Sequence, residues 1–172
     1  SGDHRDLHSF PNRRSSDLIG SWTADGPWRV RRGGNFVLYS TPPSTGTFQF
    51  SFQLRRGKEA VWVVNYKDPR NHTLYRVNDK QVARVEVVNG RERVAAQVPH
   101  GFANLNEFEV RIVIEDGRIR QELRQGGAWT AADQFQGSGL GAGLFGFFVS
   151  GRGLGRADEY AVKDFVFRPA AQ

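Results

Sequence analysis

Thr47-Phe48-Gln49-Phe50-Ser51-Phe52-Gln53-Leu54-Arg55 decides the fold. In an extended chain successive side chains point to opposite faces, so Phe48, Phe50, Phe52 and Leu54 line one side and Thr47, Gln49, Ser51, Gln53 and Arg55 the other. That is a strand with one buried and one solvated face, as in an antiparallel sheet. The same period of two recurs in Phe108–Glu115, where Phe108, Val110, Ile112 and Ile114 alternate with Glu109, Arg111, Val113 and Glu115. Ala60–Tyr66 is apolar on both faces, as expected of a central strand covered twice.

Working outward, the pattern predicts further strands over Trp28–Arg32, Asn35–Ser40, Thr73–Val77, Gln81–Val88, Glu92–Val98, Arg118–Gln125, Gly143–Val149 and Tyr160–Arg168. No window carries a helical stripe. About eleven strands, mostly in consecutive hairpins, exceed what one open sheet holds, so the expected fold is all-β without substantial helix, as two stacked antiparallel sheets or a closed barrel.

Two turns set registers that charge can check. Asp116-Gly117 is a favoured two-residue hairpin loop and opposes Glu115 to Arg118, Val113 to Arg120, Arg111 to Glu122 and Glu109 to Arg124. Three of the four pairs join opposite charges, each contributing about 0.2–1 kcal/mol. Asn89-Gly90 likewise opposes Glu86 to Arg93, Val85 to Val94 and Ala83 to Ala96.

Composition bounds the rest. The chain has 172 residues, 38% of them hydrophobic and 24% charged, which suits one globular domain. It has no cysteine, which excludes disulfides, thiolate metal sites and thiol nucleophiles. It also has no methionine, and reads as cut from a longer product. The longest apolar run, Leu144–Val149, is far short of the ~18 residues of a membrane span, so none is expected. Residues 1–18 are polar and aperiodic and are expected to be a disordered or non-native tail before a single domain over 19–172. Asp6 to Leu18 closely resembles the translation of a common sequencing-adapter read. The net charge of +6 is local: residues 21–58 carry Arg29, Arg31, Arg32, Arg55, Arg56 and Lys58 against Asp25. No zinc-finger, helix-turn-helix or RNP-type pattern accompanies these clusters, which argues against nucleic acid as a partner.

The order Trp28, Phe36-Val37-Leu38-Tyr39, Phe48-Gln49-Phe50-Ser51-Phe52, Val63-Val64-Asn65-Tyr66-Lys67-Asp68-Pro69-Arg70-Asn71 resembles the concanavalin-A-like jelly-roll superfamily. Asn106-Glu107-Phe108, Ile119-Arg120-Gln121, Gly143-Leu144-Phe145-Gly146-Phe147 and Val162-Lys163-Asp164-Phe165-Val166-Phe167 continue the likeness over about residues 20–168. Within it, the chain is most similar to laminin-G-like sandwiches, levan-binding-type carbohydrate modules and 3-keto-disaccharide hydrolase domains. The resemblance implies a two-sheet antiparallel jelly-roll sandwich with one concave surface where sugar-binding members hold their ligands. It alone suggests an extracellular or periplasmic setting.

The chain's own side chains then separate the roles. Glu107 and Glu109 lie i, i+2 on one strand face, roughly 6–7 Å apart, a separation that two-carboxylate hydrolysis can use. Glu109 is already matched to Arg124, however, and the superfamily's full acidic glycosidase motif is missing. Where the keto-disaccharide hydrolases carry polar Arg and Glu/Gln on central strands, this chain has Val64-Asn65-Tyr66 and Tyr75-Arg76-Val77. His72 and His100 sit in turn-like contexts without a nucleophile elbow. Gly141-Ala142-Gly143-Leu144-Phe145-Gly146 has the spacing of a dinucleotide loop but leads into a strand pattern, so it reads as a bend, with a further glycine loop over 151–155. No catalytic residue and no cofactor is assigned. Calcium is the weaker candidate, with Asp68, Asn71, Asp79, Asp158, Glu159 and Asp164 as oxygen donors near turns.

Eight Trp and Tyr side chains with polar handles carry the remaining signal. If Asn78-Asp79 is a two-residue turn, Tyr75, Val82 and Arg84 share a face, the next hairpin adds Arg93, and Trp62 and Tyr66 join it from the neighbouring strand. Trp62, Tyr66, Tyr75, Arg84 and Arg93 are therefore the expected ligand-binding surface, suited to a neutral or anionic glycan. The expected function is a non-catalytic module that binds a poly- or oligosaccharide or another domain of its parent protein. A glycoside hydrolase of the same fold and a purely structural domain are the alternatives.

Overall fold

The computed structural model describes residues 9–10, 22–32, 37–39, 45–147 and 158–170. Fourteen strands fall in this part, and no helix does: β1 Ser9–Phe10, β2 Thr23–Asp25, β3 Trp28–Arg32, β4 Val37–Tyr39, β5 Gly46–Arg56, β6 Ala60–Asp68, β7 Asn71–Val77, β8 Gln81–Val88, β9 Arg91–Pro99, β10 Phe108–Glu115, β11 Arg118–Arg124, β12 Thr130–Gln136, β13 Leu144–Phe147 and β14 Glu159–Pro169. One sheet runs β12-β11-β10-β5-β14-β3-β2, with β1 also on β14; the other runs β4-β13-β6-β7-β8-β9. All pairings are antiparallel. The fold is the expected all-β sandwich.

The alternating strand does what its pattern dictates. Phe48, Phe50 and Phe52 all point between the sheets and are at most 1% exposed. Phe48 stacks on Phe145 at 4.3 Å between ring centroids, Phe50 meets Trp62 edge-on at 5.8 Å, and Phe52 stacks on Tyr160 at 5.1 Å. Removing one such ring costs about 3–5 kcal/mol, counting both lost transfer energy and the cavity left behind. The small sheet also buries its other face, through Val61, Val63, Leu74, Ala83, Val85 and Val87, which accounts for the two-sided apolar reading of β6.

The Asp116-Gly117 hairpin has the expected register throughout, from Glu115 opposite Arg118 to Glu109 opposite Arg124. The Asn89-Gly90 hairpin holds it through Val85 and Val94, but Arg84 then opposes Ala96 and Ala83 opposes Gln97. A bulge at Ala95 displaces the expected Ala83–Ala96 pair. The β7–β8 connection is also longer than two residues, because Val77 pairs with Val82. The Asn78 side chain folds back onto the Lys80 and Gln81 amides, accepting at 2.9 and 2.8 Å. Its four residues are an even number, so the faces stay as expected.

Three strands were not expected. Ser9–Phe10 pairs with Phe165 and Val166, so part of the N-terminal segment taken as a tail lies on the sheet. The rest of residues 1–18, and residues 19–21, 148–149 and 151–155, lie outside the described residues. β2 is a three-residue edge strand, and β12 closes the other edge.

Candidate functional site

The bend that shapes the site is at Asn65. Val64 pairs with Thr73, but the next pairing is Asp68 with Asn71, so β6 gains residues against β7. Asn65 absorbs the excess in the left-handed region, at φ 51°, where asparagine is tolerated better than most residues. Gly143 makes room for it: a Cβ there would lie 2.4 Å from the Asn65 carbonyl carbon. At the next turn Asp68 Oδ1 accepts from the Arg70 amide at 2.8 Å and from Asn71 Nδ2 at 3.0 Å. These bonds hold the Asp68 carboxyl below its ordinary range, chiefly through the Arg70 amide.

Between this end of β6–β8 and the end of β12 opens a cleft of about 390 Å³, lined by Asn65, Asp68, Thr73, Glu86, Phe135 and Gln136 among others. Residues 137–140 close its far side, and Leu140 is buried there. The Asn65 Oδ1 is buried and has no hydrogen-bond partner among the described residues. Amide and carboxylate side chains converging on one concavity are the donors and acceptors that fix a polar ligand's orientation.

A buried ionic network lies behind two of the lining residues, Glu86 and Phe135. Arg84 Nε lies 2.9 Å from Asp133 Oδ2, and both side chains are close to one-tenth exposed. The contact is an ion pair, since its angle leaves Nε without an aligned hydrogen bond. Tyr75 Oη donates to the same Oδ2 at 2.8 Å. Burial, reinforced by the Asp133 charge, pushes the Tyr75 phenol well above its ordinary range, so it remains a donor. Arg84 Nη1 reaches Glu86 Oε1 at 2.6 Å, Arg93 Nη2 reaches Glu86 Oε2 at 2.6 Å, and Arg84 lies 4.0 Å over the Phe135 ring. Glu86 thus carries two guanidiniums behind it while its carboxylate forms part of the cleft wall.

Of the five expected ligand-binding residues, Tyr75, Arg84 and Arg93 are joined through Asp133 and Glu86. Trp62 opposes Tyr75 and donates from Nε1 to Gln121 Oε1 at 2.8 Å. The shared face looks into the sandwich, however, and Trp62 and Tyr75 are 0% exposed, so they support the site without offering a ring to a ligand. Tyr66 does not join them. The Asn65 bulge turns it to the opposite face, where it packs against the small sheet's outer apolar cluster and stacks on His72 at 5.5 Å. Nothing in the sequence pattern marks Thr73, Phe135 or Gln136 as ligand-facing, and little marks Asn65. An asparagine inside an apolar strand was the one available signal for Asn65. β12 gave none, because its inward positions are an alanine, an aspartate and a single phenylalanine.

Of the other candidates, Asp68, Asn71 and His72 border the cleft and the rest fall elsewhere. Glu107 and Glu109 lie on the outer face of the large sheet, Glu109 paired to Arg124 and Glu107 3.7 Å from Lys163. His72 is buried within β7, its Nδ1 3.1 Å from Asp68 O. His100 lies in the loop after β9, its Nε2 2.6 Å from Asn78 O while Nδ1 accepts from the Phe102 amide. Gly143 leads directly into β13, so the second half of that glycine motif is strand. Of the calcium candidates, Asp68 is occupied by the turn and Glu159 by Arg32. No group of three or more His, Asp or Glu among the described residues is arranged to hold a metal ion.

No protein-family profile and no curated protein matches the chain. Solved structures do. The carbohydrate binding module CBM66 from Bacillus subtilis superposes with a TM-score of 0.63 at 18% identity, over 85% of this chain and 89% of that one. The GH43 protein BlXynB from Bacillus licheniformis gives 0.65 at 15% identity, over 85% and 34%. GH43B of the Bacteroides ovatus xyloglucan locus gives 0.67 at 15%, over 94% and 36%. The chain thus spans about a third of the length of these two GH43 proteins. At such identities the likeness establishes the fold alone, a two-sheet antiparallel β-sandwich.

Proposed function

We propose that the chain is a non-catalytic carbohydrate-binding module whose ligand occupies the cleft between the ends of β6–β8 and β12. The observation that carries this reading is the set of amide and carboxylate side chains gathered in the cleft beside the left-handed Asn65, of which Glu86 is held from behind by the buried Arg84–Asp133 pair. A sugar offers closely spaced hydroxyls that both donate and accept, and planar Asn, Gln, Asp and Glu groups answer them. The likeness to a carbohydrate-binding module over most of both chains, and to about a third of two larger GH43 proteins, supports an appended binding domain. An extracellular or periplasmic setting goes with that role.

The carboxylates argue for binding over hydrolysis. A general acid must stay protonated near neutrality, which takes an apolar or like-charged setting. Glu86 has two guanidiniums at 2.6 Å, Glu109 has Arg124, and the Asp68 carboxyl is lowered.

The test is affinity electrophoresis against a panel of soluble polysaccharides with the full chain, Asn65→Gly and Gln136→Ala. Asn65→Gly keeps the backbone conformation and removes the amide. Retardation by at least one polysaccharide, lost in both variants while their melting temperatures hold, is the expected result. No retardation by any member of the panel would sink the reading, and retardation unchanged in the variants would move the ligand out of the cleft. Release of reducing sugar that disappears in Glu107→Gln would establish the hydrolase instead.

A further inference from the structure

The cleft does not end at Glu86. On the other side of that residue lies a second groove of about 570 Å³ lined by Arg70, Arg91, Arg93 and Val88, and Glu86 and Val88 belong to both concavities. The groove's charge is one-sided. Its two carboxylates are already engaged: Glu86 by Arg84 and Arg93, and Glu92 by Arg76 at 3.1 Å. The Arg70 guanidinium donates to the Asn89 carbonyl at 2.9 Å and otherwise faces only the charge of the neighbouring Asp68, and Arg91 has no ion pair among the described residues. Arg93 spends its Nη2 on Glu86, yet its side chain remains 70% exposed. Val88, 58% exposed, is a small apolar step between the two concavities, against which the C–H face of a sugar ring can rest.

We infer that the ligand is an acidic polysaccharide, one sugar lying in the cleft and the carboxylate of an adjoining uronic acid lying in the groove among Arg70, Arg91 and Arg93. The inference rests on the carbohydrate reading and adds the chemical class of the sugar. Arg70 and Arg91 offer paired N–H donors in the planar fork that matches a carboxylate. A neutral polysaccharide would leave those cations to water. A second basic cluster, with Arg56 and Lys58, stands between the end of β5 and the start of β6, and Ala60 pairs with Val77 at the end of β6–β7 away from Asp68 and Asn71, so the cluster serves as an internal control for unspecific attraction.

The experiment is titration calorimetry of the full chain with a neutral hexose oligomer and a hexuronate oligomer of equal length, in low salt and in about 0.5 M salt. The expected result is hexuronate binding tighter by about fivefold or more in low salt, the advantage shrinking as salt screens it. Arg91→Glu, at an exposed position where folding is not at stake, removes that advantage and leaves the neutral oligomer unaffected, while Lys58→Glu changes neither. Equal affinity for the two oligomers, an indifferent Arg91→Glu, or an equal loss from Lys58→Glu would each overturn the acidic-ligand inference while leaving carbohydrate binding in place. Failure of both oligomers to bind, together with an unresponsive polysaccharide panel, would remove the carbohydrate reading and this inference with it.

Discussion

The Tyr75 phenol and the Asp133 carboxylate join the two sheets through the interior, Oη donating to Oδ2 at 2.8 Å. The same oxygen faces Arg84 Nε at 2.9 Å. An ion pair this buried is costly to form but costlier to break, because removing one partner strands the other charge away from water. Asp133→Ala is therefore expected to destabilise the protein by about 3–5 kcal/mol, and Tyr75→Phe by about 1–2 kcal/mol. Replacing Arg84 and Asp133 together with apolar residues of similar size recovers most of the single-variant loss. Urea denaturation of the four proteins measures this; an Asp133→Ala cost below about 1 kcal/mol would mean the interior is wet.

Asn65 and Gly143 form a coupled pair of backbone requirements. Asn65→Gly removes the strain of a side chain at φ 51° and is expected to leave stability within about 1 kcal/mol of the parent. Gly143→Ala drives a methyl into the Asn65 backbone and costs about 1–3 kcal/mol. In the double variant the alanine penalty persists, since the clash is with main-chain atoms. Thermal melts of the single and double variants decide it, and a harmless Gly143→Ala would show that the two strands can move apart there.

The sequence was most legible where one face of a strand is oily and the other wet. β5 and β10 were readable residue by residue, and the Asp116-Gly117 hairpin announced its register through Arg111–Glu122 and Glu109–Arg124. Legibility failed where local chemistry overrode the period. The Asn65 bulge reversed Tyr66, which strict alternation would have pointed with Trp62. Asp133 hid β12, because an inward carboxylate reads as solvent-facing until its Arg84 partner, on a strand of the other sheet, is known. The face shared by Trp62, Tyr75 and Arg84 was legible, but its direction was not. Alternation says which residues lie together, while only the stacking of the second sheet says whether they look inward or out.

Trp129 lies over two guanidiniums at once, 4.3 Å from Arg111 and 4.4 Å from Arg124. Each guanidinium is already paired, Arg111 with Glu122 at 2.9 Å and Arg124 with Glu109. The indole shields both pairs from water, and each partly exposed cation–π contact is worth about 0.5–1 kcal/mol. Trp129→Ala is expected to lower stability by about 1–2 kcal/mol and to make the remaining stability more sensitive to salt. Trp129→Phe recovers part of the loss. A variant whose melting temperature matches the parent at every ionic strength would show the ring to be idle.

Acid should loosen this protein through particular carboxylates. Glu122 is held below its ordinary range, first by the Arg111 hydrogen bond, and Asp68 likewise by the Arg70 amide and Asn71. Both titrate lower in the folded chain than in the unfolded one. Their stabilisation is therefore complete above about pH 5, where unfolded carboxylates are ionised, and is lost as the pH falls through the lower folded values. Stability is expected to stay level from about pH 7 to 5 and to decline below about pH 4. Asp68→Asn is less stable than the parent at neutrality, and the gap closes on acidification because the parent loses the same charge. Melting temperatures of both proteins from about pH 7 to 3 test the sign, and a gap that widened toward low pH would contradict it.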